Sequence, residues 1–468
     1  MADEELSDND RKLIAFTRQF KCCSGVFIAS AVTGMSWVLT NHDSSVYRRA
    51  INETIYKNAS TWVAFGATLA ACYCTHFIGR RKTIIGMQLL YVGPLLVHAA
   101  SSDPVINYAG ALTTKFGSDM LVGLLTLYTA EVSQAWTRAF FIGIYQLAFY
   151  TGVTVARFLP HSTQMTIFLS IMLDAAALGL SASAPETPHY LVMTDQPDEA
   201  EELMQALWFD AGDEEATALL DKAELYADEY REGVFPIVMS SQFAVPLAIC
   251  FFLSMANYHI CDLFFKPTRY AADAYGYPYM DLLFTVVFPG IPLKRLMTDL
   301  FHIAGCFIYL FLCFLIKRRT LFLFSVFTSL AYGFMALLAP LGPKVLILVY
   351  SCTMWERMGL RQLGYTLPAE IFPAVTRDIG VFVSYLIHYM VYNQKVYMTI
   401  QKPYGTKEII SIIVLVCFPI GVILTYLFMP ETKDLPLTET EELGQHFIFQ
   451  PLLDLNEEAD EENIIVND

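Results

Sequence analysis

The 468-residue sequence is short of charge: Asp, Glu, Lys and Arg make up 16% of it, while 55% is apolar and the mean hydropathy is +0.44. A soluble chain of this length would carry roughly a quarter charged residues. It could not hide this much apolar surface from water, so soluble enzymes and disordered chains are excluded. Paired external cysteines are lacking too. All ten Cys (22, 23, 72, 74, 250, 261, 306, 313, 352 and 417) lie in or beside apolar runs, which excludes a secreted disulfide scaffold. Cys72 and Cys74 are two apart and point to different helix faces, so no metal site is expected. No GxxxxGK[ST] loop occurs, which argues against ATP-driven pumping, and no HExxH, GxSxG or Cys-x-x-Cys pairing signals catalysis. Neither a cofactor, nor a metal, nor nucleic-acid binding is expected. The acidic N-terminus has no short apolar core with a small-residue cleavage site, so no signal peptide is expected.

What is present is an unevenly placed surplus of acid. The formal net charge is −16. The first 21 residues, the stretch 186–232 and everything after Met429 hold 32 of the 46 acids but only seven of the 30 basic residues. The apolar body is left net positive by nine. Acidic stretches of this kind read as solvated, partly disordered segments.

Windows of about 20 mostly apolar residues mark spanning helices. They fall near 20–40, 60–78, 83–101, 105–130, 139–160 and 163–184, then near 242–265, 298–316, 321–341, 345–369, 379–398 and 408–429. The reading is an all-α membrane protein of twelve transmembrane helices in two six-helix bundles with a pseudo-two-fold repeat. Its parts are an N-terminal tail (1–19), a first bundle (20–184), a central loop (185–241), a second bundle (242–430) and an acidic tail (431–468). The path of 266–298 is open, because 281–292 is apolar but too short to cross. Arg80-Arg81-Lys82 and Lys317-Arg318-Arg319 fall on the side of both termini, which the positive-inside rule makes cytoplasmic. Glycosylation acceptors at Asn52 and Asn58, beyond the first span, favour the same orientation, and the membrane expected is the plasma membrane.

Two patterns recur in both halves. GRRK at 79–82 answers KRR at 317–319, each between corresponding spans. Glu131 and Arg138 are seven apart in the first half, as are Glu370 and Arg377 in the second. The chain also carries PETPHYL at 185–191 and PETKDLPLTETEEL at 430–443. Opposite charges at such junctions can pair across the halves when one side is shut and part when it opens. A static loop clasp is the plainer alternative.

These motifs resemble the major facilitator superfamily over nearly the whole chain. RAFFIGIYQLAFYTG, RMG at 357–359 and AEIFPAVTRDIGV are similar to the organic cation/anion transporter branch, and less closely to the sugar porters. The resemblance implies gating roles for Gly79, Arg80, Arg81, Glu131, Arg138, Glu370 and Arg377, and a substrate contact at Gln146. Departures bear on the substrate. His76 and Phe77 replace the usual Asp-Arg before IGRR. Phe251 and Phe252 stand where sugar porters pair glutamines, with only Asn257 retained. Tyr365 replaces a tryptophan, and the cation-selecting carboxylate of the organic ion branch falls near Tyr389, beside His388.

Ionisable groups at bilayer depth are costly and face a cavity or a partner. Lys115 and Asp119 are four apart on one helix face, and Asp174, without a local basic partner, is a candidate for proton or ion coupling. Asn257, Gln362, Tyr365 and Tyr389 complete the candidate substrate-binding set with Gln146, Lys115 and Asp119. Phe149, Tyr150 and Tyr385 are further aromatic candidates. The expectation is a monomeric, non-enzymatic carrier moving a small organic ion or zwitterion by alternating access, in contact with membrane lipid and coupled or not to H+ or Na+. A hexose or polyol carrier and a non-transporting sensor or scaffold are the alternatives.

Overall fold

The computed structural model describes residues 7–42, 53–101, 103–159, 163–208, 213–260, 293–338, 343–401 and 420–445, and every regular element among them is helical. The first half comprises α1 (Asp8–His42), α2 (Glu53–Ile78), α3 (Arg80–Ala100), α4 (Pro104–Val132), α5 (Ala135–Phe158) and α6 (Thr163–Ser183). Five short helices follow: α7 (Pro188–Met193), α8 (Pro197–Trp208), α9 (Asp213–Asp221), α10 (Ala223–Glu232) and α11 (Phe235–Val238). The second half contributes α12 (Ser241–Ile260), α13 (Leu293–Leu315), α14 (Arg318–Leu338), α15 (Pro343–Met358), α16 (Leu360–Ile371), α17 (Arg377–Gln401) and α18 (420–428), and ends in α19 (Leu437–Gly444). The face carrying α7–α11 and α19 is termed the strapped face.

Local sequence sets the helix starts. Asp103 caps α4 by accepting from the backbone N–H of Val105 at 2.7 Å, with Pro104 in the first turn. Thr187 caps α7 before Pro188 in the same way. At the start of α1, Ser7 and Asp10 bond each other reciprocally. Residues 8–19, expected as a tail, are therefore the first turns of a 35-residue helix. That helix is longer than the ~20 residues a bilayer core needs.

Each half has its own apolar core, one around Val26, Leu124, Tyr128 and Phe141, the other around Ile249, Phe322, Leu363 and Phe372. Two smaller clusters join the halves: Leu127, Ala130 and Ile142 meet Ala369 and Val381, and Ala139 meets Tyr309 and Met358. Within the first half α1 and α5 cross closely. A Cβ on Gly152 would stand 1.9 Å from the carbonyl oxygen of Ala31, and one on Gly34 would stand 2.1 Å from that of Phe149. Small residues at both points let the backbones touch. Large apolar side chains such as Trp62, Leu69, Met165, Phe168, Phe307 and Phe311 are exposed on the outer surfaces of α2, α6 and α13, as a lipid-facing helix requires.

Three further expectations are corrected. The central polar stretch is folded, with Met204, Leu207, Trp208 and Tyr226 buried, because α8 and α10 each pack an apolar stripe inward. The beginning of the acidic tail is folded as well: Leu437, Thr438, Thr440 and Glu441 of α19 are buried. The expected span 345–369 is broken at Gly359, where a Cβ would meet Ser325 at 2.7 Å. Ser325 Oγ there donates to the Trp355 carbonyl and accepts from the Leu360 N–H, supplying the partners lost at the break. The segment 266–292, Asn52, Cys261 and Cys417 lie outside the described residues. Asn58 falls within α2, but its side chain also lies outside them. The eight described cysteines are free thiols.

Candidate functional site

On the strapped face the two halves carry one polar device twice. In the first copy, Glu186 accepts from the backbone N–H groups of Arg80 and Arg81 at 3.1 and 3.0 Å, at the N-terminus of α3. In the second, Glu431 accepts from those of Arg318 and Arg319 at 2.8 and 3.2 Å, at the N-terminus of α14. A carboxylate there meets unpaired backbone donors and the positive end of the helix dipole. Thr187 Oγ1 donates to Glu131 at 2.6 Å, and Thr432 Oγ1 donates to Glu370 at 2.6 Å. Gly79 makes the first turn possible: its φ is +100°, and a Cβ would strike Glu186 at 2.7 Å.

The arginines repeat as well. Arg138 bonds Glu215 of α9 at 2.8 Å, and Glu215 also accepts from the Ala135 N–H at 3.0 Å. Arg377 bonds Glu441 of α19 at 3.2 Å, and Glu441 accepts from the Ala374 N–H at 2.8 Å. Each acidic short helix thus seals the start of one buried helical rod. Burial raises the Glu215 and Glu441 carboxyls above the ordinary range, and their arginine partners oppose the rise. Tyr226 donates to Glu441 at 2.5 Å, and Lys222 reaches the Thr438 carbonyl and Glu442. The central helices and the tail are therefore strapped together.

The copies differ in how the buried glutamate pairs. Glu131 pairs with Arg80 inside its own half, at 3.2 Å and fully buried. Glu370 instead stands 3.8 Å from Arg138 of the other half. Arg138 also donates to the Leu435 carbonyl at 3.1 Å. Arg81 plays a backbone part, with its guanidinium on the Ala182 carbonyl. His76 faces Asp378 at 3.4 Å across the halves. Sequence reasoning named the arginines and the first glutamates but assigned no role to Glu186, Thr187, Glu215, Glu431, Thr432 or Glu441. The repeated Pro-Glu-Thr of 185–187 and 430–432 was the signal for four of these; Glu215 carries none.

Toward the opposite face, Arg157 of α5 pairs with Asp299 of α13 and lies 5.6 Å above the Trp37 ring. Lys115 pairs with Asp119 at 2.9 Å and lies 4.8 Å from the ring of Tyr389, whose hydroxyl donates to the Ser60 carbonyl. These contacts, too, join the halves. Asp174 is elsewhere, buried on α6 within the first half, and neither of its carboxylate oxygens has a hydrogen-bond partner among the described residues.

Between the two layers runs a chain of rings. Tyr145 packs on Tyr365 at 6.4 Å and Tyr365 on Tyr385 at 5.1 Å, with the Tyr385 hydroxyl on Thr126 at 3.2 Å. Tyr150 packs on His302 at 4.9 Å and lies under Arg357 at 5.0 Å. Arg361 contacts His388 and stands 5.7 Å from the Tyr365 ring. Gln146 is buried beside Tyr145. Gln362 donates to Cys306 at 3.2 Å, while its oxygen is buried without a hydrogen-bond partner, as is that of Asn257. On α12, Cys250, Leu253, Ser254 and Asn257 are buried, whereas Phe251 is 37% exposed and faces outward. The candidate set thus divides: Tyr365, Gln146 and Gln362 sit at or beside the ring chain, and Lys115, Asp119 and Tyr389 form a separate contact nearer the opposite face.

The family model described as sugar (and other) transporter matches residues 22–259. The MFS-type transporter qa-x of Neurospora crassa is 22% identical, covering 95% of this chain and 85% of that protein. A quinate permease of Neurospora terricola is 22% identical over 84% of this chain and 79% of its own. Among solved structures, the proton:xylose symporter XylE bound to 6-bromo-6-deoxy-D-glucose superposes with a TM-score of 0.69 at 16% identity. It covers 92% of this chain and 99% of that one. The fold is that of twelve helices in two bundles.

Proposed function

The chain belongs to the sugar (and other) transporter family of the major facilitator superfamily, and from that premise we propose that it moves a small polar organic solute through the ring-lined region by alternating access. As a member of that family it is a multi-pass integral membrane transporter of small organic solutes rather than an enzyme. The observation that carries the finer reading is the pair of closures around Tyr145, Tyr365 and Tyr385. The strap closes one side through Arg138, Glu370, His76 and Asp378, and Arg157 with Asp299 joins the halves on the other. A carrier needs two such closures, each breakable without the other, separated by only a few kcal/mol.

In this reading the strapped face is cytoplasmic and the membrane is the plasma membrane. The relatives' names span quinate and xylose, so hydroxyl-rich solutes are the cargo class. Gln146, Gln362 and Asn257 offer amides that can donate to and accept from hydroxyl groups. Lys115, Asp119 and Tyr389 serve the outer closure more directly than the cargo. Asp174, remote from the rings, remains the proposed seat of proton coupling. The test is uptake of radiolabelled quinate, xylose and glucose by proteoliposomes holding the full chain. Saturable uptake lost in Gln146→Ala supports the proposal. A protein that moves none of a broad solute panel, in either direction, sinks it in favour of a non-transporting sensor.

A further inference from the structure

Asp174 lies about 14 Å from the strapped end of α6, and Gln88 about 12 Å from that of α3. The register of these two antiparallel helices brings them level. At the strapped end the Arg81 guanidinium donates to the Ala182 carbonyl. Seven residues on from Arg81 is Gln88, and eight back from Ala182 is Asp174. Toward the other end, Tyr91 and Leu95 of α3 pack with Ile167 and Ile171 of α6. Gln88, Tyr91 and Leu95 follow helical spacing along one face, and Ile167, Ile171 and Asp174 do so along the other. Gln88 therefore stands opposite Asp174 in the interface between α3 and α6, and both are fully buried.

Neither carboxylate oxygen of Asp174 and neither end of the Gln88 amide has a hydrogen-bond partner among the described residues. The third wall is α1, where the Val32 carbonyl accepts from the Tyr91 hydroxyl at 3.2 Å. Residues 24–40 of α1, 83–97 of α3 and 163–183 of α6 carry no charged side chain besides Asp174, and Tyr91 is their only other titratable group. An ionised carboxylate finds no cation on these helices, and a buried charge without a partner is costly.

The two orphaned groups are chemically complementary. A protonated carboxyl offers one O–H donor and one carbonyl acceptor, while an amide offers one carbonyl acceptor and an NH2 donor. With the Asp174 hydroxyl donating to Gln88 Oε1, and Gln88 Nε2 donating to the other carboxyl oxygen, a single proton gives all four atoms a partner. A hard metal cation asks for about six oxygen ligands, whereas this pair is flanked by the apolar Val32, Leu95, Ile167 and Ile171.

We propose that Gln88 and Asp174 form a proton-binding pair inside the first half, with Asp174 a neutral carboxyl and Gln88 the residue that receives its proton in a hydrogen bond. The inference rests on the reading of Asp174 as the seat of ion coupling, and adds its partner and the choice of H+ over Na+. The pair lies outside the ring-lined region, and α1 touches both: two residues before Val32, Ser30 Oγ donates to the Tyr145 carbonyl at 2.8 Å.

The experiment records infrared spectra of the purified full-length chain in lipid nanodiscs near neutral pH. Subtracting the spectrum of Asp174→Asn isolates the carbonyl band of a protonated Asp174, which a carboxylate lacks. The band is expected in the parent, and is expected in Gln88→Leu at higher frequency, because no amide then donates to it. Exchanging K+ for Na+ should leave it unmoved. The proposal is overturned if the parent shows no such band, if Gln88→Leu leaves its frequency unchanged, or if Na+ abolishes it. Should Gln88→Leu not fold, Gln88→Asn, which draws the amide back by one methylene, serves the same comparison. Uptake in proteoliposomes separates this result from the wider reading. A band together with uptake indifferent to a proton gradient keeps the pair and removes the coupling; gradient-driven uptake without the band defeats the pair and moves coupling to another group.

Discussion

His76 of the first half and Asp378 of the second stand 3.4 Å apart, Nδ1 to Oδ2, both buried in the interface. Thr75 donates to the same carboxylate oxygen at 3.4 Å, and the other oxygen accepts from the Ile379 N–H in the first turn of α17. Where this superfamily's motif usually has an acid in the first half, here the second half holds the acid and the first answers with an imidazole. His76→Asp would set two carboxylates against each other, at a cost on the order of 4 kcal/mol at 4 Å and an effective dielectric of 20. The strapped face should then open, read as faster labelling of a cysteine placed at Thr366. Unchanged labelling would mean that the contact does not hold the gate.

Arg80 and Glu131 form the buried pair of the first half. Removing one partner of such a pair leaves the other charge stranded, at about 3–5 kcal/mol. Glu131→Gln should therefore lower Tm far more than Glu442→Gln, whose partner Lys222 sits at the exposed edge of the strap. Equal effects would contradict the pairing.

A pH effect follows from His189 in α7. Burial, and then Arg377, Arg138 and Arg80 around it, hold its imidazole well below the ordinary 6.5. When the strap opens, the ring regains its usual affinity for protons. The open form then binds the proton better, so stability of the closed form is present above about pH 6.5 and is lost as pH falls below it. Glu215 and Glu441, raised on closure by burial, act in the opposite sense: ionising them on a rise in pH works against closure. The His189 share is isolated by difference. Between pH 7.5 and 5.5 the parent should gain strapped-face accessibility relative to His189→Asn, and parallel curves would remove histidine from the account.

Gly152 tests the close crossing of α1 and α5. A methyl group there has a backbone carbonyl 1.9 Å away, with no flexible side chain to yield. Gly152→Ala should cost about 1–3 kcal/mol, visible as a lower Tm, while Gly179→Ala, where a Cβ meets nothing within 4 Å, should be near neutral. A Gly152→Ala chain that melts like the parent would mean that the helices can separate at little cost.

Most of the architecture could be read from the chain, because lipid imposes a length on every apolar run. The buried arginines of the strapped face were legible for a different reason: Glu131/Arg138 and Glu370/Arg377 repeat at one spacing, and duplication exposes a device that a single copy hides. Glu215 and Glu441 were not legible. Both lie in acidic stretches whose composition is that of a solvated tail, and only the fold shows which two of the many acids meet Arg138 and Arg377. Arg361 was not legible either. Its contact with His388 joins positions 27 apart on different helices, which no local pattern encodes.

The break at Gly359 makes α16 a short, separate rod. Arg361 lies near one end and Glu370 near the other, nine residues or about 13 Å apart. Ser325 holds the rod at its pivot through the Leu360 N–H. Ser325 thus ties one end of the rod to α14 while Glu370 sets the other beside Arg138 of the first half, so that α16 is a separate strut between the two bundles.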